Sequence, residues 1–478
     1  MSNLSPSISR VSGGAVRASA AKAKAAREPW GALELIALSR TVIPALQYIP
    51  GANVVRTPLR VVDYSLVLLV WAWVLVHGRR QVGRTFVPKL LLAVCAGWLL
   101  ISIAHPTTNS LISGTAQAFL VISIMSPVFW VPQLKVTPER MSRLLRLIFF
   151  ANLLSSMWGL GQVYMPDRFN PPDIAIFHRS EGMEGALSLT TSSGRRIIRP
   201  CGLTDTPGAA AGASANVIII GLLWSLRPMP LWRRAALVGV CFFATGIIYI
   251  SQVRVMLLTM VASLIATTVV FVLRGSFGKA TVLAVILGTL VAGGLGWAAY
   301  VGGEAATKRF AALFEEDALT TYQQHRGGFL QKAIYEELPR FPLGAGLGRW
   351  GQIYYYFGNK AFPFGVGRGE LYSEIQISAW VYDGGLPLLA MYASAALLAV
   401  WSAFRLALHA NDPALSYAAC PIFAMGLTLL AVCLGAMPFI GPAGVQFWLL
   451  TTALFVSNEQ TGVAARRARL AAARGGAR

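Results

Sequence analysis

Arg254 is the first of four features of the sequence whose residues could do chemistry. It ends the run Ser-Gln-Val-Arg (251–254), which lies between two apolar segments with almost no loop between them. An arginine beside hydrocarbon is costly unless it faces water or pairs with an anion. An isolated arginine at such a position more often only reaches out to the membrane surface, and anion binding is the alternative.

A second arginine-rich segment surrounds Arg199. Arg195, Arg196 and Arg199 come just before Pro-Cys-Gly-Leu-Thr-Asp-Thr-Pro-Gly (200–208), and an apolar segment beginning with small residues follows. Proline and glycine break the start of a helix, and small residues let helices pack closely. Guanidinium groups near a broken helix end suit a phosphate, because arginine offers a planar, permanently charged fork. The alternative is an arginine-rich structural loop.

A third group combines arginine with glycine. Arg326 opens the sequence Arg-Gly-Gly-Phe, and Pro-Leu-Gly-Ala-Gly-Leu-Gly (342–348) follows after an amphipathic stretch. No strand pattern precedes these glycines and no Gly-Lys-Ser/Thr follows them, so they do not form a nucleotide-binding fingerprint.

Two carboxylates, Glu370 and Glu374, precede an apolar segment that contains Asp-Gly-Gly-Leu-Pro (383–387). Four residues apart, they would share one face of a helix at the membrane boundary. A partly desolvated carboxylate there has a raised pKa and is suited to act as a general base. The alternative is that both are ordinary solvated loop acids.

Metal ligands and disulfides are not indicated. The acidic run 315–317 belongs to an amphipathic segment, and the five histidines show no ligand spacing. The sequence therefore predicts no metal site and no cofactor. The five cysteines lie mostly in apolar segments, where packing is the expected role.

The composition of the chain indicates which kind of structure holds these residues in position. The 478-residue chain is 55% hydrophobic and only 13% charged, whereas soluble domains carry about 25% charged residues. A hydrocarbon core of about 30 Å requires about 20 apolar residues per helix. We therefore predict an all-α polytopic membrane protein of about twelve transmembrane helices, near residues 32–50, 61–77, 86–104, 112–132, 144–164, 206–226, 235–253, 255–273, 281–301, 377–403, 413–435 and 440–457.

The placement of the +21 net charge predicts topology. Lysine and arginine collect in two tails (1–29, 458–478) and in alternate short loops, as the positive-inside bias requires when both termini are cytoplasmic. The tails are predicted to be disordered, and this distribution argues against a nucleic-acid partner. Two long periplasmic loops, about 165–205 and 302–376, then hold most of the acidic residues. The second carries short amphipathic helices, because Phe310, Leu313 and Phe329 belong to helically spaced apolar sets.

In this order, the segments resemble the bacterial O-antigen ligase and Wzy-type polysaccharide polymerase superfamily. The likeness covers roughly residues 195–400. It rests on residues 199–214, the turn 251–254, Arg326 with 342–348, and the final Asp-Gly-Gly-Leu-Pro element at 383–387. Ligases of this family place a His-Asn pair before the final element, where this chain has Glu374 and Ile375. That departure favours the polymerase or exopolysaccharide branch and argues against a histidine-based mechanism.

The resemblance implies metal-independent transfer of a glycan from an undecaprenyl-diphosphate carrier, on the periplasmic side of the bacterial inner membrane. Arg199, Arg254 and Arg326 would bind the diphosphate, and Glu374 or Glu370 would act as the catalytic base. The implied partners are a lipid-linked glycan donor, a glycan acceptor, membrane lipids, a flippase and a chain-length regulator. Alternatives are an O-antigen ligase or protein O-oligosaccharyltransferase of the same superfamily, and, more distantly, a transporter, a lipid flippase or a structural scaffold.

Overall fold

The computed structural model describes residues 30–49, 51–78, 85–170, 188–190, 196–204, 206–315, 326–410 and 412–475. Helix makes up 79% of it, so the predicted all-α class is confirmed. The sheet in this part of the chain pairs two short antiparallel strands, β1 (Ser188–Thr190) and β2 (Arg196–Ile198). The helices are α1 (Ala32–Ala45), α2 (Arg56–His77), α3 (Val87–Ser102), α4 (Leu111–Met125), α5 (Pro127–Trp130), α6 (Pro138–Tyr164), α7 (Pro166–Phe169), α8 (Ala209–Ser225), α9 (Leu231–Ser251), α10 (Arg254–Leu273), α11 (Phe277–Glu315), α12 (Gly328–Lys332), α13 (Leu338–Arg340), α14 (Gly351–Phe357), α15 (Gln376–His409), α16 (Pro413–Val432) and α17 (Pro442–Gly475).

Within the described ranges, seven helices are long and apolar enough to cross a membrane. They are α2, α6, α9, α10, the first part of α11 (277–296), α15 and α16. The segment from α4 through α5, bent by 46°, counts as an eighth if it is one span. Helices α3 and α8 are apolar but shorter. The chain is therefore a multi-pass helical membrane protein, and a helix lies over each of the twelve predicted segments.

Helix α8 forms the centre of the bundle. Fourteen of its 17 residues are buried, and it packs against α6, α9, α10 and α16. A helix that is apolar on all sides belongs in the interior. Small residues allow the close approach to α6, since a Cβ at Gly159 would lie 2.5 Å from Ala210 Cβ.

Two ion pairs explain why α1 is a helix despite its charges. Arg140 on α6 donates to both carboxylate oxygens of Glu34, at 3.0 and 2.8 Å. Arg40 lies with its Nη2 2.7 Å from Asp63 Oδ1 on α2. A buried charge is tolerated when a partner satisfies it, so these residues tie α1 to its two neighbours.

Helix α15 is interrupted where the sequence reads Asp-Gly-Gly. Gly384 and Gly385 have non-helical dihedrals, and φ of Gly385 is +62°. The carbonyl of Pro342 enters the break and accepts a hydrogen bond of 2.9 Å from Leu386 N. A Cβ at Gly385 would lie 2.2 Å from that oxygen, so only glycine fits this position.

Two helices continue past predicted boundaries. Helix α11 runs through the predicted loop start near 302 to Glu315. Helix α17 runs through the predicted tail start at 458 to Gly475, so the prediction that this tail is disordered is wrong for residues 458–475. Residues 463–473 are almost all alanine, arginine and leucine, which have high helix propensity. The helix therefore continues beyond the end of its apolar segment. The N-terminal tail 1–29 lies outside the described residues. Within residues 328–357 the chain forms α12, a π-helical turn at Ala333–Glu337, α13 and α14.

Replacing Gly385 by alanine should destabilise the break in α15. We expect a loss of about 2–4 kcal/mol, because the Cβ meets a backbone oxygen at a left-handed position. The thermal midpoint of the purified protein in detergent measures this. Gly97→Ala is the matched control, because nothing lies within 4 Å of a Cβ at that helical glycine. Equal midpoints for the two variants would contradict the account of the break.

Candidate functional site

The predicted site residues lie at one end of the bundle. At the opposite end, Arg227, just after α8, donates to Tyr417 O at 3.2 Å. Arg274, just after α10, donates to Ala407 O near the end of α15 at 2.8 Å. At the first end, Gln376 N donates to Cys433 O at 3.2 Å, so α15 begins beside the end of α16. Helices α8, α10 and α15 therefore all begin at one end, which we call the Arg254 end; the other is the Tyr417 end.

Arg254 is the first residue of α10, after a turn of unusual geometry. Gln252 has φ +55°, the one positive value among non-glycine residues that the structure describes. The left-handed residue reverses the chain between α9 and α10 in a single step. Arg254 is half-buried, and its Nη1 atom is buried without a hydrogen-bond partner among the described residues. A buried donor without an acceptor is costly, so this nitrogen is available to an anion.

The segment around Arg199 lies against the start of α8. Pro200 O accepts a hydrogen bond of 3.3 Å from Ala210 N. Gln162 of α6 accepts at 2.9 Å from Gly202 N, which fixes the fold of the segment. A Cβ at Gly208 would lie 3.2 Å from Val253 Cγ2, so the start of α8 also contacts the turn before Arg254. Arg199 and Arg254 therefore border the start of the same helix, whereas Arg195 lies outside the described residues.

Arg326 and Glu374 form an ion pair with each other. The hydroxyl of Tyr372 also donates to Glu374 Oε1, and the Tyr372 ring lies 5.9 Å from that of Phe329. Burial lowers the pKa of Arg326. The predicted phosphate ligand and the predicted base thus lie against one another, and their opposite charges balance.

Glu370 and Glu374 do not share a helix face, so that prediction is wrong. Both precede the start of α15 at Gln376, in a segment where Leu371 bridges to Trp350 as an extended residue. Extended chain of this length spans about 13 Å. Burial raises the pKa of Glu370, and Lys360 opposes this shift. Glu370 is therefore the less paired of the two carboxylates, and Glu374 is the one beside an arginine.

Glu337 and Tyr382 form a further polar contact next to the Arg326–Glu374 ion pair. Glu337 is 7% exposed and accepts a hydrogen bond from the hydroxyl of Tyr382. That hydroxyl also lies 3.2 Å from Tyr372 O, which links Glu337 to the segment that carries Glu374. Burial raises the pKa of Glu337. Sequence reasoning missed Glu337, because its position in an acidic, amphipathic stretch does not distinguish it from solvated acids.

Arg349 and Asp383 hold the glycine-rich segment in place. Arg349 is 1% exposed and donates at 2.8 Å to Ala345 O and to Gly369 O. Burial, and to a smaller extent Arg340, lowers the pKa of Arg349 to about 10. Asp383 accepts at 2.8 Å from Trp350 Nε1 and from Gln117 on α4. Both side chains are fully engaged by the protein, so their role is to position the segment between them.

No three histidine, cysteine, aspartate or glutamate side chains of the described ranges are grouped closely enough to hold a metal ion. All five cysteines are buried and free of disulfides. Compared with known protein families and with curated proteins, the sequence matches no family model and no curated protein.

Glu337 should make stability fall as pH rises. Its folded-state pKa lies above the ordinary value of 4.5, so between these two values the folded protein binds more protons than the unfolded chain. The contribution of Glu337 to stability is therefore fully present below its pKa in the unfolded chain. It is lost as the pH rises through its pKa in the folded protein. Glu337→Gln keeps an acceptor for Tyr382 and removes the charge. We expect it to raise the thermal midpoint by a few degrees at pH 8.

The thermal midpoints of both proteins in detergent between pH 5 and pH 8 test this, with exposed Glu336→Gln as control. The gap between Glu337→Gln and the parent should widen with pH. A constant gap across the range would mean that Glu337 does not titrate as described.

Proposed function

We propose that the chain is a glycosyltransferase of the bacterial inner membrane. It polymerises oligosaccharide repeat units linked to undecaprenyl diphosphate into an O-antigen, capsular or exopolysaccharide. One observation carries the proposal. Arg199 and Arg254, which border the start of α8, lie at the same end of the bundle as the Arg326–Glu374 ion pair. A metal-independent transfer from a lipid diphosphate needs these two parts, cations for the leaving group and a base for the acceptor.

The reaction breaks the bond between the anomeric carbon and the diphosphate oxygen. The acceptor hydroxyl forms the new glycosidic bond, with inversion at that carbon, and its proton goes to the base. Negative charge grows on the diphosphate as the bond breaks. Arg199 and Arg254 stabilise that charge. The Nη1 of Arg254, which has no hydrogen-bond partner among the described residues, supports this role.

The Arg326–Glu374 pair couples binding to base activation. A diphosphate competes with Glu374 for the guanidinium of Arg326, because phosphate accepts the same bidentate hydrogen bonds. Once Arg326 turns to the phosphate, Glu374 loses the cation that stabilises its ionised form. Its proton affinity then rises, so the base becomes effective only when the donor is bound.

In this proposal the chain crosses the membrane twelve times, with both termini in the cytoplasm and the Arg254 end in the periplasm. The Tyr417 end holds an excess of basic residues (Arg227, Arg233, Arg234, Arg274, Lys279 and Arg405), which the positive-inside bias assigns to the cytoplasm. Partners are the lipid-linked donor and acceptor, membrane lipids, a flippase and a chain-length regulator, with no cofactor and no nucleic acid.

The alternative within this chemistry is an O-antigen ligase or a protein O-oligosaccharyltransferase. Product analysis separates them, because long chains on the carrier lipid indicate a polymerase, whereas capped lipid A or a glycoprotein indicates a ligase. Glu374 in place of histidine favours the polymerase. A flippase or transporter would move the lipid-linked glycan without lengthening it.

Arg254→Ala and Arg199→Ala should each lower glycan transfer by about 100-fold or more, since each removes a group that stabilises leaving-group charge. Arg405→Ala is the control, because this exposed arginine lies near the Tyr417 end. The assay uses the purified protein with a lipid-linked oligosaccharide, with and without chelator. Full polymer length in both variants would refute diphosphate binding, and inhibition by chelator would refute metal independence.

Glu374→Gln should leave about 1% of the activity or less, since an amide cannot accept the proton. Glu370→Gln should retain most of it. The rate is measured against pH, because a base must be ionised and activity falls as pH drops below its pKa. If only Glu370→Gln is inactive, Glu370 is the base, and the acidic limb of the parent should then lie above pH 4.5.

A further inference from the structure

The Tyr417 end contains a cluster of cations that the proposed reaction does not use. Arg227 follows α8, Arg234 lies in the first turn of α9, and Arg274 and Lys279 flank the short junction between α10 and α11. All of these elements meet near Tyr417, on the first turns of α16. We call these four cations with Tyr417 the Tyr417 cluster.

Tyr417 is the centre of this cluster. The guanidinium carbon of Arg227 lies 5.1 Å from its ring centroid and 5.3 Å from that of Trp224. Lys279 Nζ lies 5.0 Å from the Tyr417 centroid and donates to its hydroxyl at 3.0 Å. Two cations from different helices therefore share one aromatic ring, which orients both of them.

The remaining members are held by neutral groups. Arg274 Nη1 donates to Ala407 O at 2.8 Å and to the hydroxyl of Ser416. Arg234 Nη2 lies 3.5 Å from Arg227 O. Burial lowers the pKa of Arg227, and the nearby cation Arg146 lowers it further. Positive charge from four helices thus converges on one place at the edge of the bundle.

Carboxylates do not balance this charge. In the described part of the chain, none forms an ion pair with a member of the cluster. The acid closest in sequence to Tyr417, Asp412, is occupied as the N-cap of α16, where it accepts from Ala414 N at 2.8 Å. By contrast, Arg40, Arg140 and Arg326 each have a carboxylate partner.

Some hydrogen-bond donors in the cluster and beside it have no partner in the part of the chain that the structure describes. The Nε atoms of Arg227 and Arg234 and the indole Nε1 of Trp224 are buried without a partner among the described residues. Buried donors are normally satisfied. Several such donors beside converging cations suit a ligand with several acceptor oxygens and negative charge, which a phosphate group provides.

The location of the Tyr417 cluster favours a lipid as the source of that phosphate. The cluster lies where membrane-spanning helices end, and the adjacent Leu231 and Trp232 are 77% and 68% exposed, as expected for side chains that contact lipid. Basic pockets between helices at this depth bind the head groups of anionic lipids. A free phosphate ion would make no contact with the exposed apolar side chains of Leu231 and Trp232, whereas the acyl chains of a lipid would.

We propose that the Tyr417 cluster is a binding site for the phosphate head group of an anionic phospholipid. The head group lies between α8, α9, α11 and α16, where it accepts hydrogen bonds from the arginines and Lys279 while its acyl chains lie along α9. The lipid joins helices from both halves of the chain, and its binding does not depend on the proposed enzymatic reaction.

Lipid titration of the full-length protein in detergent tests the site. Phosphatidylglycerol, phosphatidylcholine and inorganic phosphate are added separately, and bound lipid is counted by native mass spectrometry alongside the thermal midpoint. We expect phosphatidylglycerol alone to remain bound and to raise the midpoint. Equal effects of phosphatidylcholine, or an effect of inorganic phosphate as large as that of the lipid, would overturn the proposal.

Substitutions in the Tyr417 cluster test whether phosphatidylglycerol binds there. The double variant Arg227→Gln/Lys279→Gln should weaken phosphatidylglycerol binding about 25-fold, since each charge contributes about fivefold. Arg405→Gln, an exposed cation near the same end, should bind as the parent does. If the double variant does not fold, Lys279→Gln alone should show the fivefold loss. Unchanged affinity in the folded variants would refute the site, whatever the transfer assay shows.

Discussion

The architecture of the Arg254 end depends on the contact between the glycine-rich segment 342–348 and the break in α15. The segment donates from Ala345 N to Tyr382 O at 2.8 Å and accepts from Leu386 N at Pro342 O. On its other side, Leu347 O accepts from Asn109 N at 3.1 Å. One stretch of backbone therefore satisfies the polar groups freed by the break, a strict requirement for chain within a membrane protein. The direction in which α15 begins, and with it the position of Glu374, follows from this contact.

Much of the helical framework could be predicted from the sequence, because hydrocarbon imposes a length and a composition on each helix. Arg254 was singled out by its isolation between apolar segments, whereas the break in α15 at Asp-Gly-Gly was not predicted. The pairing of Arg326 with Glu374 could not be predicted, because these residues are 48 positions apart and meet only through tertiary packing. The extended conformation at 370–374 was missed for a related reason: the bridge from Trp350 to Leu371 overrides the local helical pattern.

The arginines of this protein differ in how their charge is satisfied. Arg40, Arg140 and Arg326 each have a carboxylate partner. Arg254 and Arg227 form no ion pair within the described ranges, and each keeps a buried nitrogen without a hydrogen-bond partner there. Removing one member of a buried pair leaves a costly charge, whereas an unpaired cation at a helix end gains by meeting an anion. The Arg40–Asp63 and Arg140–Glu34 pairs therefore stabilise the fold, whereas Arg254 and Arg227 gain by meeting an anionic ligand.

Tyr48, in the turn after α1, makes the N-terminal region part of the site. Its hydroxyl donates to the carbonyl of Gly202, lies 3.0 Å from Thr204 O and accepts from Gln162 Nε2 at 2.8 Å. The segment that carries Arg199 is thus held by a residue more than 150 positions away. A truncated chain that begins at α2 would lose this clamp, and it would also leave Asp63 and Arg140 without their partners Arg40 and Glu34. The N-terminal helix therefore supports both the segment that carries Arg199 and the packing of α2 and α6.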